Sequence, residues 1–178
     1  MTKQNNTKEK KEISTEIIHK EIDLIQSCIS RMAHNSFLIK GWLISLIAII
    51  LTLFLKGEFK QPSIIILVEL LGLIIVFWIL DAYFLQQERI FRKFYKNVIE
   101  KRLKGDDSEL YSLNIKLFLK NNNDIKESES FTQVVFSITL KFFYGMLIVL
   151  IIVTFTSIYF FKICTLVYVF LKYILNIT

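Results

Sequence analysis

Three apolar blocks, at residues 37–55, 63–80 and 142–161, constrain this chain more than any other feature, and a further apolar stretch covers residues 163–178. About 20 mostly apolar residues in a helix cross the hydrocarbon core of a bilayer. Lipid offers no partner to an open backbone, so only helices or closed barrels can span it. The blocks are rich in Leu, Ile and Phe and lack the apolar/polar alternation of a barrel strand. The expectation is an all-α membrane protein with three to four transmembrane helices.

Of the 178 residues, 53% are hydrophobic, which leaves little chain for a separate soluble domain. The net charge of +6 is carried largely beside the apolar blocks, where anionic lipid is the nearest partner. Membrane lipid is therefore expected as a partner, and direct nucleic-acid binding is not. Residues 1–12 are polar and lysine-rich with no apolar signal core directly behind them, so the chain is read as mature. Cys28 and Cys164 are the only cysteines and suggest neither a disulfide framework nor a zinc site.

Lys/Arg counting sets the expected orientation. Six lysines and arginines precede the first block and Lys40 lies in its first turn, seven in all from Lys3, and seven follow the second, from Arg89 to Lys104. Only Lys56 and Lys60 lie between the blocks. This places the N-terminus in the cytoplasm of a cell whose inner membrane holds the protein, with the 56–62 turn outside. Trp42 and Trp78 then fall near the cytoplasmic interface as anchors.

Before the first span, Ile18, Ile22, Ile25, Ile29, Met32 and Ile39 repeat as a coiled-coil seam. After the second, Phe84, Phe91, Phe94, Tyr95, Val98 and Leu103 form a comparable stripe. Each extension reaches about 36 Å at the helical rise. The first hairpin is thus expected to continue as a cytoplasmic helical stalk. Counting outward from the membrane sets Lys40 level with Asp81, Arg31 near Glu88, and Glu21 near Lys101.

Four segments follow. Residues 1–12 form a polar tail, and 13–104 the stalked hairpin. Residues 105–130 hold a short helix and a flexible loop, with the helix starting at Asp106-Asp107-Ser108-Glu109 and striped by Leu110, Leu113 and Leu117. Residues 131–178 hold a lead-in helix, a third span and a fourth reached by a turn near Lys162. The alternative to that turn is one long tilted helix.

Glu69 lies inside the second block, where an ionisable group is costly and usually faces water or a partner. Gly72 shares its face. Gly41, Ser45, Ala48 and Thr52 make a small-residue stripe on the first span, a surface that allows close helix approach. Pore-lining or interior packing is the sharp reading of these residues; snorkelling of Glu69 to the outer interface is the plain one. His34 and Asn35, in the last turn before the membrane, read as hydrogen-bonded interface residues, and His19 as solvated. No phosphate loop, metal-ligand spacing or nucleophile with a base stands out, so no catalytic residue, metal or cofactor is expected.

Two stretches carry a resemblance. They are Ile29-Ser30-Arg31-Met32-Ala33-His34-Asn35-Ser36-Phe37-Leu38-Ile39-Lys40-Gly41-Trp42 and Phe77-Trp78-Ile79-Leu80-Asp81-Ala82-Tyr83-Phe84-Leu85-Gln86-Gln87-Glu88-Arg89, with a weaker similarity at Phe136-Ser137-Ile138-Thr139-Leu140-Lys141-Phe142-Phe143-Tyr144-Gly145. Together they resemble small bacterial multi-pass membrane proteins of the kind found as accessory or effector subunits of phage-defence systems, including those beside CRISPR nucleases. The apolar C-terminus is longer than in that pattern. The stalk, the intramembrane Glu69 and the lack of a soluble active site lead to the expectation of a non-enzymatic homo-oligomer that forms or gates a pore under a cytoplasmic protein partner. The antiviral setting is implied by the resemblance. A non-conducting tether or scaffold is the alternative, and a small transporter the next; an intramembrane enzyme ranks below both.

Overall fold

A computed structural model describes residues 2–58, 63–106 and 110–175, with side chains from residue 15 onward. Six helices occur in these residues: α1 (Thr2–Leu55), α2 (Ser63–Leu103), α3 (Ile115–Asn121), α4 (Asn123–Ser128), α5 (Phe131–Val135) and α6 (Ile138–Leu175). The described residues contain no strand. Three helices, α1, α2 and the one ending in α6, are long and apolar enough to cross a membrane. The chain is an all-α membrane protein.

No proline or glycine interrupts α1 before Gly41 or α2 after Gly72, so each apolar block extends without a break into its polar stretch. At 54 and 41 residues they measure about 80 and 60 Å, far more than the ~30 Å of a bilayer core. The surplus is the stalk. The two helices pack along each other in antiparallel fashion. In the membrane part, Leu43 and Ile47 of α1 meet Ile66, Leu70 and Ile74 of α2. Leu140, Tyr144, Ile151 and Phe155 of α6 complete that core, and the rings of Phe54 and Phe155 stack at 5.2 Å.

Farther out, Ile25 of α1 packs with Phe94 and Val98 of α2 and Phe118 of α3. Phe94 and Phe118 meet edge-on at 5.3 Å. The isoleucine seam and the phenylalanine stripe therefore face inward as their spacing predicts. Leu103 departs from this, being 82% exposed at the last turn of α2, while the buried Ile90 belongs to the stripe without having been anticipated.

The segment after α2 is more structured than its composition suggests. The expected acidic cap at Asp107-Ser108-Glu109 lies outside the described residues. Residues 110–114 are not helical, and Tyr111 adopts a left-handed φ of 58°. The helix begins only at Ile115, where the Asn114 side chain accepts a hydrogen bond from Leu117 N at 3.0 Å. The expected flexible loop contains α4, held where Lys93 Nζ reaches Ser128 Oγ at 2.7 Å and Glu129 at 2.9 Å. Arg89 lies 3.7 Å from the same carboxylate.

The turn expected near Lys162 is absent: α6 runs unbroken through it for 38 residues, about 57 Å. No glycine or proline follows Gly145, so nothing in the sequence breaks the helix. The fourth span is replaced by the long third helix that was its alternative. Beyond Phe155 almost every described side chain of α6 is exposed on the single chain.

Candidate functional site: a polar junction between stalk and membrane helices

Where the stalk meets the membrane core, one carboxylate ties three helices together. Asp81 of α2 is 0% exposed. Ser36 and Lys40, one turn apart on α1, both reach it: Ser36 Oγ donates to Oδ1 at 2.5 Å and Lys40 Nζ lies 2.5 Å from Oδ2. Lys40 Nζ also donates to Ser36 Oγ at 2.8 Å. From α6, the Tyr144 hydroxyl sits 3.0 Å from Asp81 Oδ2 and 3.2 Å from the Phe77 carbonyl.

Aromatic packing walls the cluster. Trp78 stacks on Tyr144 with centroids 5.5 Å apart and planes 2° from parallel, and its indole N–H donates to the Val135 carbonyl at 3.0 Å. Lys40 Nζ lies 5.8 Å from the centre of the Phe143 ring. A buried charge must be paired and hydrogen-bonded or it costs several kcal/mol, roughly. Here both carboxylate oxygens are satisfied and the adjacent ammonium neutralises the charge. The chemistry available is fastening: the junction ties the stalk ends of α1 and α2 to α6. Replacing Tyr144 with Phe removes one hydroxyl and should cost about 1–2 kcal/mol, read as a lowered unfolding midpoint in detergent.

A second clasp closes the far end of the stalk. Arg102 donates in bidentate fashion to Glu21, Nε and Nη2 each at 2.8 Å, and both side chains are nearly buried. The Tyr111 amide donates to Glu21 Oε1 at 2.9 Å and its hydroxyl to the Ile17 carbonyl at 3.1 Å. The Arg102 guanidinium, then the Tyr111 amide, hold the Glu21 carboxyl below its ordinary value against the effect of burial. Glu21 lies well before the apolar block.

The positions singled out in the sequence divide sharply. Lys40 and Asp81 pair as the register predicts. Glu21 pairs with Arg102, one residue beyond the expected Lys101. Arg31 and Glu88 form no ion pair: Glu88 accepts from Arg92 at 2.8 Å, one turn along its own helix, and Arg31 reaches Cys28 Sγ at 3.7 Å. His34 is exposed and Asn35 half-buried, and among the described residues neither makes the side-chain hydrogen bond expected of it. Trp42 is 61% exposed, as an anchor should be, whereas Trp78 belongs to the junction.

The expected interior residues face outward. Gly41, Ser45, Ala48 and Thr52 are exposed on α1, and Glu69 and Gly72 on α2, so neither stripe lines an interior within one chain. Bulky Leu43, Ile47, Leu70 and Ile74 occupy the seam instead. The Ser45 and Thr52 hydroxyls turn back to the carbonyls of Gly41 and Ala48, and a Cβ on Gly72 would meet nothing within 4 Å.

Ser36 and Tyr144 escaped the sequence reading. Ser36 had a usable signal, since it precedes Lys40 by one turn. Tyr144 stood only within the weaker patterned stretch at 136–145, one aromatic among many. Among the described residues no group of three or more His, Cys, Asp or Glu is placed to hold a metal. Compared with known families, curated proteins and solved structures, the chain matches none.

Proposed function

We propose that this protein is a non-enzymatic inner-membrane homo-oligomer that forms or gates a pore, with its stalk in the cytoplasm receiving a signal from a protein partner. The observation that carries the reading is the Ser36–Lys40–Asp81–Tyr144 junction, which couples the stalk rigidly to α6. A displacement imposed on the stalk is passed to the membrane helices instead of dissipating in a hinge. A partner shifts such an assembly only by binding one of its states more tightly.

The outward stripes supply contacts between copies. Thr52 and Glu69 lie twelve residues from Lys40 and Asp81 respectively, hence at about the same depth, 18 Å from the junction. A helix of one copy can therefore bring small residues against the Glu69–Gly72 face of the next. On the stalk, a groove of about 630 Å³ lined by Ile29, Ala33, Arg92, Tyr95 and Lys96 offers a partner both apolar and basic contacts. The antiviral role, as effector or accessory of a phage-defence system, rests on the resemblance of the sequence stretches around residues 29–42 and 77–89.

A non-conducting tether is the second reading, favoured by the outward position of Glu69, which leaves no polar lining inside a single chain. Liposomes separate the two. The pore reading expects protein-dependent dye or ion release, reduced by Glu69→Gln, and depolarised cells when the chain is expressed with its activated partner. Tight liposomes and an intact potential would leave the tether.

A further inference from the structure

Each helix of the membrane hairpin leaves a charge on its outer surface, and the two charges are opposite. Glu69 of α2 is exposed between the exposed Ile65 and Gly72, and its carboxylate makes no ion pair or hydrogen bond among the described residues. Lys56 continues the last turn of α1, where its amide donates to the Thr52 carbonyl at 3.1 Å. Its ammonium is likewise unpaired among the described residues.

Depth matches the two. Counted from the Lys40–Asp81 pair, Glu69 stands about 18 Å and Lys56 about 24 Å towards the outer face, both inside a core of ~30 Å. An ionisable group at that depth usually faces water or a partner of opposite charge. The height difference of about 6 Å is one that the flexible lysine stem covers.

Within one chain the two are kept apart. Leu43, Ile47 and Phe54 turn inward to the hairpin core. At about 100° per residue, Ala48, Thr52 and Lys56 fall on the opposite side of α1, and all three are exposed. Glu69 lies to the side of the Ile66–Leu70–Ile74 seam of α2. The body of α1 therefore separates the two charges of one copy, whereas copies side by side in a bilayer share depth and direction. We propose that the Ala48–Thr52–Lys56 face of one copy docks on the Glu69–Gly72 face of the next, with Lys56 bound to Glu69 across the contact. The short side chains at 48 and 52 let the helices come close enough for that pair. The two faces differ, so the contact is heterologous, and each copy keeps one face of each kind for a further neighbour. The inference deepens the homo-oligomer reading and rests on it, but not on conduction.

The test links copies in liposomes without touching the ion pair. In the full chain with Cys28→Ser and Cys164→Ser, Ala48→Cys and Gly72→Cys add thiols at matched depths, about 12 and 14 Å from the junction. A Cβ at Gly72 meets nothing within 4 Å, so the fold accommodates it. Mild oxidation should give a ladder of dimers, trimers and longer species from the doubly substituted chain. Mixed single variants should give dimers only, and each single variant alone none. Adding Glu69→Gln or Lys56→Met should lower the linked fraction about three- to tenfold. Exchanging the charges, Lys56→Glu with Glu69→Lys, should restore it. An oligomer without the ladder, or a ladder that neither Glu69→Gln nor Lys56→Met alters, would overturn this proposal alone. A chain that stays monomeric by native mass measurement in lipid would overturn the homo-oligomer reading along with it.

Discussion

Replacing Asp81 with Ala is expected to lower stability by about 3–5 kcal/mol and to release α6 from the hairpin, the largest effect of any single change outside the apolar core. The magnitude follows from what is left behind. Lys40 loses its counter-ion next to the membrane core, while Ser36 and Tyr144 lose their common acceptor. Lys40→Met should be nearly as damaging, because it strands a carboxylate that is 0% exposed. The double variant Lys40→Met, Asp81→Leu should recover most of the loss, since a buried ion pair replaced by apolar groups of similar bulk is often close to neutral. Denaturant unfolding in detergent, together with the near-ultraviolet signal of the Trp78–Tyr144 stack between α2 and α6, reads both stability and attachment. If the losses of Lys40→Met and Asp81→Leu, each measured singly, simply add in the double variant, Lys40 and Asp81 do not act as a unit.

That pairing was legible in the sequence because both helices run without a breaker from a common membrane boundary, so counting residues preserves register. The same counting failed for Arg31 and Glu88. There a closer partner, Arg92, stands one turn from Glu88 on the same helix, and local pairs need no tertiary geometry. The stripes on the two spans were legible as residue types but not as directions. Small residues can face a neighbouring helix or lipid, and the larger Leu and Ile side chains bury more area in the intrachain seam. The short helix after α2 was legible as a helix but not in its start, which lies at Ile115 where Phe118 packs on Phe94. Helix α4 was obscured because tertiary contacts hold its end, with Glu129 under Lys93 and Arg89. The run Asn121-Asn122-Asn123-Asp124, which leads into α4, reads as loop. For α6 the absence of any glycine or proline after Gly145 was visible, and that continuity decided the outcome.

The stalk tip should open in acid. Glu21 carries a carboxyl held below its ordinary value, chiefly by the Arg102 hydrogen bonds. A group lowered on folding stabilises the folded form above its unfolded pKa, near 4.5, and the contribution disappears as pH falls through the lowered folded value. Arg102 stays protonated throughout, so acid leaves a nearly buried guanidinium without its anion. Hydrogen exchange at the Tyr111 amide, which donates to Glu21, should therefore accelerate below the usual carboxylate range beyond the intrinsic pH effect on exchange. Arg102→Ala should produce the same opening at neutral pH, at a local cost of about 3 kcal/mol, because it strands Glu21. In Glu21→Gln the amide no longer titrates, so the acid step should vanish even though the tip is weakened at every pH. Unaltered acid opening in that variant would place the titrating group elsewhere in the stalk, and the clasp would then be packing alone.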